Sequence, residues 1–204
     1  MKLNKVVKIM VFSDLFLYSG WGLVSPILAV FIINSIQGGS VKVAGIAVGV
    51  YWLGKAIMQI PIAHYLDLNH GERDDYYALI FGTFLAALTP IGFIFAYLPW
   101  HVYVLQFTHA LAMSLALPSW DAIFTRHIQQ KREAFCWSVD KSIISFGAGI
   151  SGIIGGALAE YYGFIPLFIS IAVLGLISTF VMIFIGKEIL PKVPRRGVMP
   201  GLKP

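Results

Sequence analysis

The sequence predicts an all-α integral membrane protein of six transmembrane helices, arranged as a three-plus-three inverted repeat. Three observations carry that prediction. Of 204 residues, 58% are hydrophobic and only 12% are charged, against about a quarter charged in soluble chains, and the mean hydropathy is +0.79. The apolar residues gather into six runs long enough to cross about 30 Å of hydrocarbon. Those runs are about twice the length of a barrel strand and lack its strict alternation, so the backbone must satisfy its own hydrogen bonds within helices. One soluble core could not hide so much apolar surface, whereas a bundle in a bilayer turns it to lipid.

The first run, Ile9 to Ile33, follows a basic amino end, but Asp14 interrupts it and no clear cleavage site follows, so it reads as a retained helix and not a signal peptide. Asp14, Tyr18, Trp21 and Ser25 recur along it at helical spacing. The second run, Val43 to Leu66, places Gly45 and Gly49 near its start and Lys55 midway, with Trp52 and Gln59 on the lysine's face at spacings of three and four. The third, Tyr76 to Leu98, has no charge. The fourth, Val102 to Phe124, carries a second polar and aromatic stripe of Gln106, His109, Met113 and Trp120, and then Asp121. The fifth, Phe135 to Ala159, begins with Asp140 and Lys141 and continues as Gly147-Ala-Gly-Ile-Ser-Gly-Ile-Ile-Gly-Gly156. There Gly152 and Gly156 stand four apart, with Gly147, Ser151 and Gly155 on an adjacent line, spacings that let helix backbones approach closely. The sixth, Phe164 to Ile185, is free of charge. These runs make a bundle over residues 1–186. Residues 187–204, with four prolines among basic residues, are expected to form a flexible basic cytoplasmic tail.

Charge sets the orientation. Lys2, Lys5 and Lys8, Arg73, the loop residues Arg126, Lys131 and Arg132, and Lys187, Lys192, Arg195, Arg196 and Lys203 all fall on one side, against Lys42 alone on the other. The positive-inside rule therefore puts both termini in the cytoplasm, as six spans require. These basic clusters flank apolar runs, which argues against nucleic acid as a partner and for a plasma or inner membrane location with lipid contact. A single cysteine, Cys136, permits no intrachain disulfide and no cysteine metal cluster. No phosphate-cradling loop is present, and no cofactor is expected. Gly149-Ile-Ser151-Gly152 matches the four-residue motif of intramembrane serine proteases, but such a serine needs a base on a later helix, and no histidine follows His127. The chain is expected not to be an enzyme.

Five charges lie inside the runs: Asp14, Lys55, Asp121, Asp140 and Lys141. Each costs about 2.5 to 3.5 kcal/mol in hydrocarbon on insertion scales unless it finds a partner, a cavity or the interface. Lys55 is too deep for easy snorkelling. It is either a contact for an anionic group of a solute or a lysine paired structurally within the bundle. Tyr18, Trp21, Ser25, Gln59, Gln106, His109, Met113 and Trp120 are the candidate lining of a solute site around it. Asp14, Asp121, Asp140 and Lys141 lie near the cytoplasmic ends of their spans, where they form either a gate or anchors that reach the headgroups. Pro26 and Pro118, each beside a serine at similar depth, hint at the repeat.

Several stretches resemble the amino-terminal half of a major facilitator superfamily transporter. The loop Leu66-Asp67-Leu-Asn-His-Gly71-Glu-Arg73 resembles the family's loop between its second and third helices, although Ala63 stands where the family usually has glycine. The glycine run of the fifth span resembles its antiporter signature, with Ser151-Gly152 in place of Gly-Pro, and Ala-Glu160-Tyr-Tyr-Gly163-Phe resembles the connection that follows. Gln106 falls where proton-coupled members often carry arginine. The resemblance implies half of a major facilitator fold, in which helices one and four line the cavity and helices two and five meet the other half. It implies gating roles for Asp67, Gly71 and Arg73, and interface roles for Gly45, Gly49, Gly147, Ser151, Gly152, Gly155 and Gly156. Members normally have twelve spans, so a six-span chain is expected to act as a homodimer, to pair with a second half-length subunit, or to represent a truncated protein. The expected function is transport of a small solute by alternating access; the competing expectation is a membrane assembly or scaffold protein that keeps the half-fold without a transport cycle.

Overall fold

A computed structural model describes residues 4–68 and 71–190. Among these the regular structure is all helical: α1 (Lys5–Val24), α2 (Leu28–Ser35), α3 (Val41–Leu68), α4 (Glu72–Ile94), α5 (Pro99–His127), α6 (Glu133–Tyr162), α7 (Phe164–Ile183) and α8 (Gly186–Ile189). Six segments are long and apolar enough to cross a membrane: α1, α3, α4, α5, α6, and α7 continued into α8. Asn69 and His70 of the second loop, and the tail from residue 191 onward, lie outside the described residues. Residues 187–189, assigned from sequence to the start of the tail, form most of α8.

The first span differs from the uninterrupted helix expected over Ile9 to Ile33. It stops at Val24, turns through Ser25, Pro26 and Ile27, and resumes at Leu28. Pro26 has no N–H to continue the ladder, so the last helical bond is Ser25 N–H to Trp21 O, the Ile27 N–H closes a tighter turn on Val24 O, and a new ladder opens with Phe31 N–H to Ile27 O. Pro61, Pro90 and Pro118 stay inside their helices. Beside two of them a hydroxyl donates to a carbonyl one turn back, Thr89 Oγ1 to Leu85 O and Ser119 Oγ to Leu115 O, both at 2.9 Å, the kind of local adjustment that lets a membrane helix keep its proline.

Helix α1 packs along α6 and α7, α5 packs along α3 and α4, and α4 packs along α7. Exchanging spans one to three for spans four to six leaves this pattern unchanged, which is compatible with the inverted repeat. It also makes α3 and α6 the outer helices. Few of their residues are buried: Ala44, Ala47 and Leu66 on α3, and Cys136, Asp140, Gly147, Ser151 and Gly155 on α6. The inner contacts are close because glycine removes side-chain bulk where backbones meet. A Cβ on Gly82 of α4 would lie 2.6 Å from Ala112 O of α5, and one on Gly22 of α1 would lie 2.8 Å from Ala148 Cα of α6. Between α1 and α7, the buried hydroxyls of Ser13 and Ser178 meet at 2.7 Å.

Two hydrophobic clusters seal the ends of the bundle. One gathers Phe31, Phe93 and Phe168 with Ile32, Val102 and Ile171; its phenyl rings meet edge-on or stacked at 4.9 to 6.1 Å. The other, at the end that holds the amino terminus, gathers Met10, Ile123, Phe124, Met182 and Ile185. That end also carries the polar latches. Arg126 Nη1 pairs with buried Asp75 at 2.5 Å, His127 Nδ1 lies 3.5 Å from Glu72, and Lys5 pairs with Glu188 at 2.6 Å. Acids in the first turn of α4 thus face bases in the last turn of its antiparallel neighbour α5, the arrangement both helix dipoles favour.

Candidate functional site

Between the two sealed ends lies a cavity of about 310 Å³, at the lower end of the range for small-molecule sites. Helix α1 contributes Leu17, Tyr18, Trp21 and Val24, the turn after it Ser25, α2 Leu28, α3 Val48, Tyr51 and Trp52, and α5 Gln106, His109 and Met113. The lining is mainly apolar and aromatic, with a few polar groups, the usual composition of a solute site.

The rings are ordered against one another. The imidazole of His109 lies parallel to the Trp21 indole at 3.6 Å between centroids and stacks on the Tyr51 phenol at 4.7 Å. Tyr51 in turn meets Trp52 edge-on at 5.1 Å. These contacts join α1, α5 and α3 across the cavity wall. His109 and Gln106 are both buried, and His109 Nε2 has no hydrogen-bond partner. A buried polar atom left open beside a cavity is a group available to a ligand or water.

Six of the nine residues predicted to bind solute line this cavity: Tyr18, Trp21, Ser25, Gln106, His109 and Met113. Lys55 lies one turn beyond Tyr51 along α3; its ammonium sits 5.2 Å from the centre of the Trp52 ring, and it makes no ion pair among the described residues. Its own carbonyl accepts from Ser114 Oγ at 3.3 Å, tying α3 to α5 at this level. Gln59, one turn further, is half-buried and away from the cavity lining. Trp120 belongs to a second, narrower space of about 20 Å³, shared with Asp14, Thr83, Asp121 and Lys141. The two spaces adjoin, since Leu17, Tyr18 and Met113 line both.

Of the predicted charge layer, Asp14, Asp121 and Lys141 line that lower space, and Asp140 adjoins it through Lys141. Lys141 pairs with fully buried Asp140 at 3.3 Å, and its ammonium lies 5.9 Å and 5.5 Å from the rings of Trp120 and Trp137. Asp140 Oδ1 and Trp120 Nε1 lack hydrogen-bond partners. Of the residues assigned from sequence to the second loop, Asp67 falls in the last turn of α3 and Arg73 in the first turn of α4, both exposed, Gly71 caps the start of α4, and Arg73 lies over Tyr77 at 5.9 Å.

The small residues divide by face. Cβ atoms built on Gly147 and Gly155 would run into α1 at Ser19, Leu15 and Leu23, and Ser151 between them is buried. This line serves packing inside the chain. Gly152 stands near Gly22 and Pro26 of the first span, whereas Gly45, Gly49 and Gly156 open onto empty space.

Sequence reasoning missed Tyr51, the ring that stacks on His109 from α3. It stands four residues before Lys55, so the same helical spacing that selected Trp52 and Gln59 also marks it. It also missed the pair of Asp75 and Arg126, which the acidic start of the third span and the basic end of the fourth announce once the short loop between them makes the two helices antiparallel.

A comparison with curated proteins finds no match. The family model of the Major Facilitator Superfamily matches residues 10–200, and the six apolar helices agree with one six-helix unit of that fold. The chain is therefore an integral membrane protein that belongs to the Major Facilitator Superfamily, a family of transporters.

Proposed function

We propose that this chain moves a small solute across the plasma or inner membrane by alternating access, with both termini in the cytoplasm. The observation that carries the reading is the cavity between two packed ends, walled by α1, α3 and α5 and underlain by Asp14, Asp121 and Lys141, with Asp140 paired to Lys141. Solute binds among Tyr18, Trp21, Ser25, Gln106, His109 and Met113. Lys55, beside Trp52, supplies attraction for an anionic group, with Gln59 and Trp120 beyond it. The charge layer closes the cytoplasmic side, supported by Asp67, Gly71 and Arg73 at the second loop. A second six-helix unit, either a copy of this chain or a half-length partner, completes the path by meeting α3 and α6 along Gly45, Gly49, Gly152 and Gly156. Rocking of the two units then exposes the site to one side at a time.

The test is single-cysteine labelling in sealed vesicles. A reporter at Ser25 and one at Ser138 should change their reactivity in opposite directions when solute is added, whereas a scaffold without a transport cycle leaves both unmoved. Native mass spectrometry from a gentle membrane mimetic tests the assembly: a homodimer appears at twice 22.5 kDa, and a strict monomer rules it out.

A further inference from the structure

We infer that the solute is a planar aromatic carboxylate of one or two rings, an inference that rests on reading the cavity as the transport site. Five rings reach the cavity from three helices: Tyr18 and Trp21 from α1, Tyr51 and Trp52 from α3, and His109 from α5. Trp21, His109 and Tyr51 are already stacked into one slab. A wall of aligned rings offers flat faces and ring edges to a flat ligand, and contacts with them reward an aromatic ring beyond the apolar area it buries. The volume of about 310 Å³ admits a benzoate or an indole acid.

Charge selects among aromatic ligands. No acidic residue lines the cavity. Lys55 stands outside the lining, its ammonium 5.2 Å from the ring of the lining residue Trp52 and without an ion-pair partner among the described residues. Asp121 acts on it only through space, from beyond ion-pair distance. The charges that bear on the cavity from below, Asp14, Asp121 and Lys141, lie in the narrower space on the far side of Tyr18 and Met113. Among the residues that line the cavity, His109 carries a buried polar atom without a partner, Nε2, and it can donate to a carboxylate or hydroxyl oxygen when its proton sits there. A ring cage alone would also take a quaternary ammonium, but the lysine beside Trp52 opposes a cation and favours an anion.

The test is ligand binding to the full chain in lipid nanodiscs, followed by tryptophan fluorescence and calorimetry. The probes are benzoate, indole-3-acetate, cyclohexanecarboxylate, benzamide and benzyltrimethylammonium. Benzoate and indole-3-acetate should bind, cyclohexanecarboxylate and benzamide about tenfold more weakly, and the quaternary ammonium not measurably. Lys55→Ala should weaken benzoate about tenfold and leave benzamide unchanged, while Lys55→Arg retains benzoate. Equal binding of benzoate and cyclohexanecarboxylate would overturn the aromatic class, and preference for benzyltrimethylammonium would overturn the anionic one. If no probe binds while the cysteine reporters still alternate with another solute, the substrate class is wrong and transport stands. If the acids bind while the reporters stay fixed, the site is right and the transport cycle is not.

Discussion

The His109 imidazole lies 3.6 Å from the Trp21 indole, ring centre to ring centre and nearly parallel. Apart from this contact α1 and α5 touch sparingly, since each packs mainly on other helices. The stacked pair links the two cavity helices in addition to the cluster that gathers Met10 with Ile123 and Phe124.

Stacked aromatic pairs contribute about 0.5 to 1.5 kcal/mol beyond buried area. Trp21→Leu keeps an apolar side chain and removes the stack, so it should lower thermal stability by about 1 to 2 kcal/mol. Trp21→Phe should recover about half of that loss. Thermal unfolding in detergent, followed by near-ultraviolet circular dichroism, measures both. A Leu variant as stable as the parent would mean that the rings meet without holding the helices.

A second prediction concerns the latch between α4 and α5. Asp75 is buried and Arg126 is partly exposed, so the two halves of the pair are not equivalent. Removing Arg126 strands a carboxylate in a poor solvent, whereas removing the charge of Asp75 leaves an arginine that can turn to water. Arg126→Ala should cost about 2 to 3 kcal/mol and Asp75→Asn about 1. The double variant should be more stable than Arg126→Ala alone. Chemical denaturation of the four proteins reads the cycle, and additive losses would show that the pair does not couple.

How far the sequence carries can be judged from such residues. Helix number and type were legible because apolar run length is dictated by the thickness of the bilayer. The polar stripes of the first and fourth spans converge on one cavity because residues at spacings of three and four share a helix face. The break at Pro26 was not legible. Pro61, Pro90 and Pro118 carry the same local signal and remain helical, so the outcome depends on what neighbouring helices and hydroxyls offer the freed backbone. The faces of the glycine run were hidden for a related reason. Gly155 meets Leu23 and Gly156 meets nothing, a distinction set by how α6 is rotated against α1 and not by either residue's identity.

The same dependence of a glycine on what faces it gives a third prediction. Gly82→Ala puts a Cβ within 2.6 Å of Ala112 O and 2.7 Å of Ala116 N, both backbone atoms of α5. Helices α4 and α5 must separate to admit it, with an expected loss of about 2 kcal/mol as for other overpacked interfaces. In the unassembled chain Gly45→Ala meets no atom within 4 Å and should be neutral or slightly stabilising through helix propensity. Melting temperatures of the two variants compare them. A loss at Gly45 in the absence of one at Gly82 would place the tight contact on the outer helix instead.

The last prediction uses the single cysteine. Cys136 is 1% exposed and packs within the cluster that seals the amino-terminal end of the bundle, so it should stay silent to membrane-impermeant maleimides in the folded protein. Reporters can therefore be introduced without first removing it. Lys42 at the start of α3 and Gln130 in the loop after α5 are both exposed and stand at opposite ends of the bundle. On the proposed topology that end, with its excess of basic residues beside Gln130, faces the cytoplasm. In right-side-out vesicles Lys42→Cys should label at once and Gln130→Cys only after the membrane is permeabilised. The reverse pattern would invert the topology and with it the side on which the layer of Asp14, Asp121, Asp140 and Lys141 closes the path. Labelling of both from one side would contradict the crossing of α3, α4 and α5, on which the proposed transport path depends.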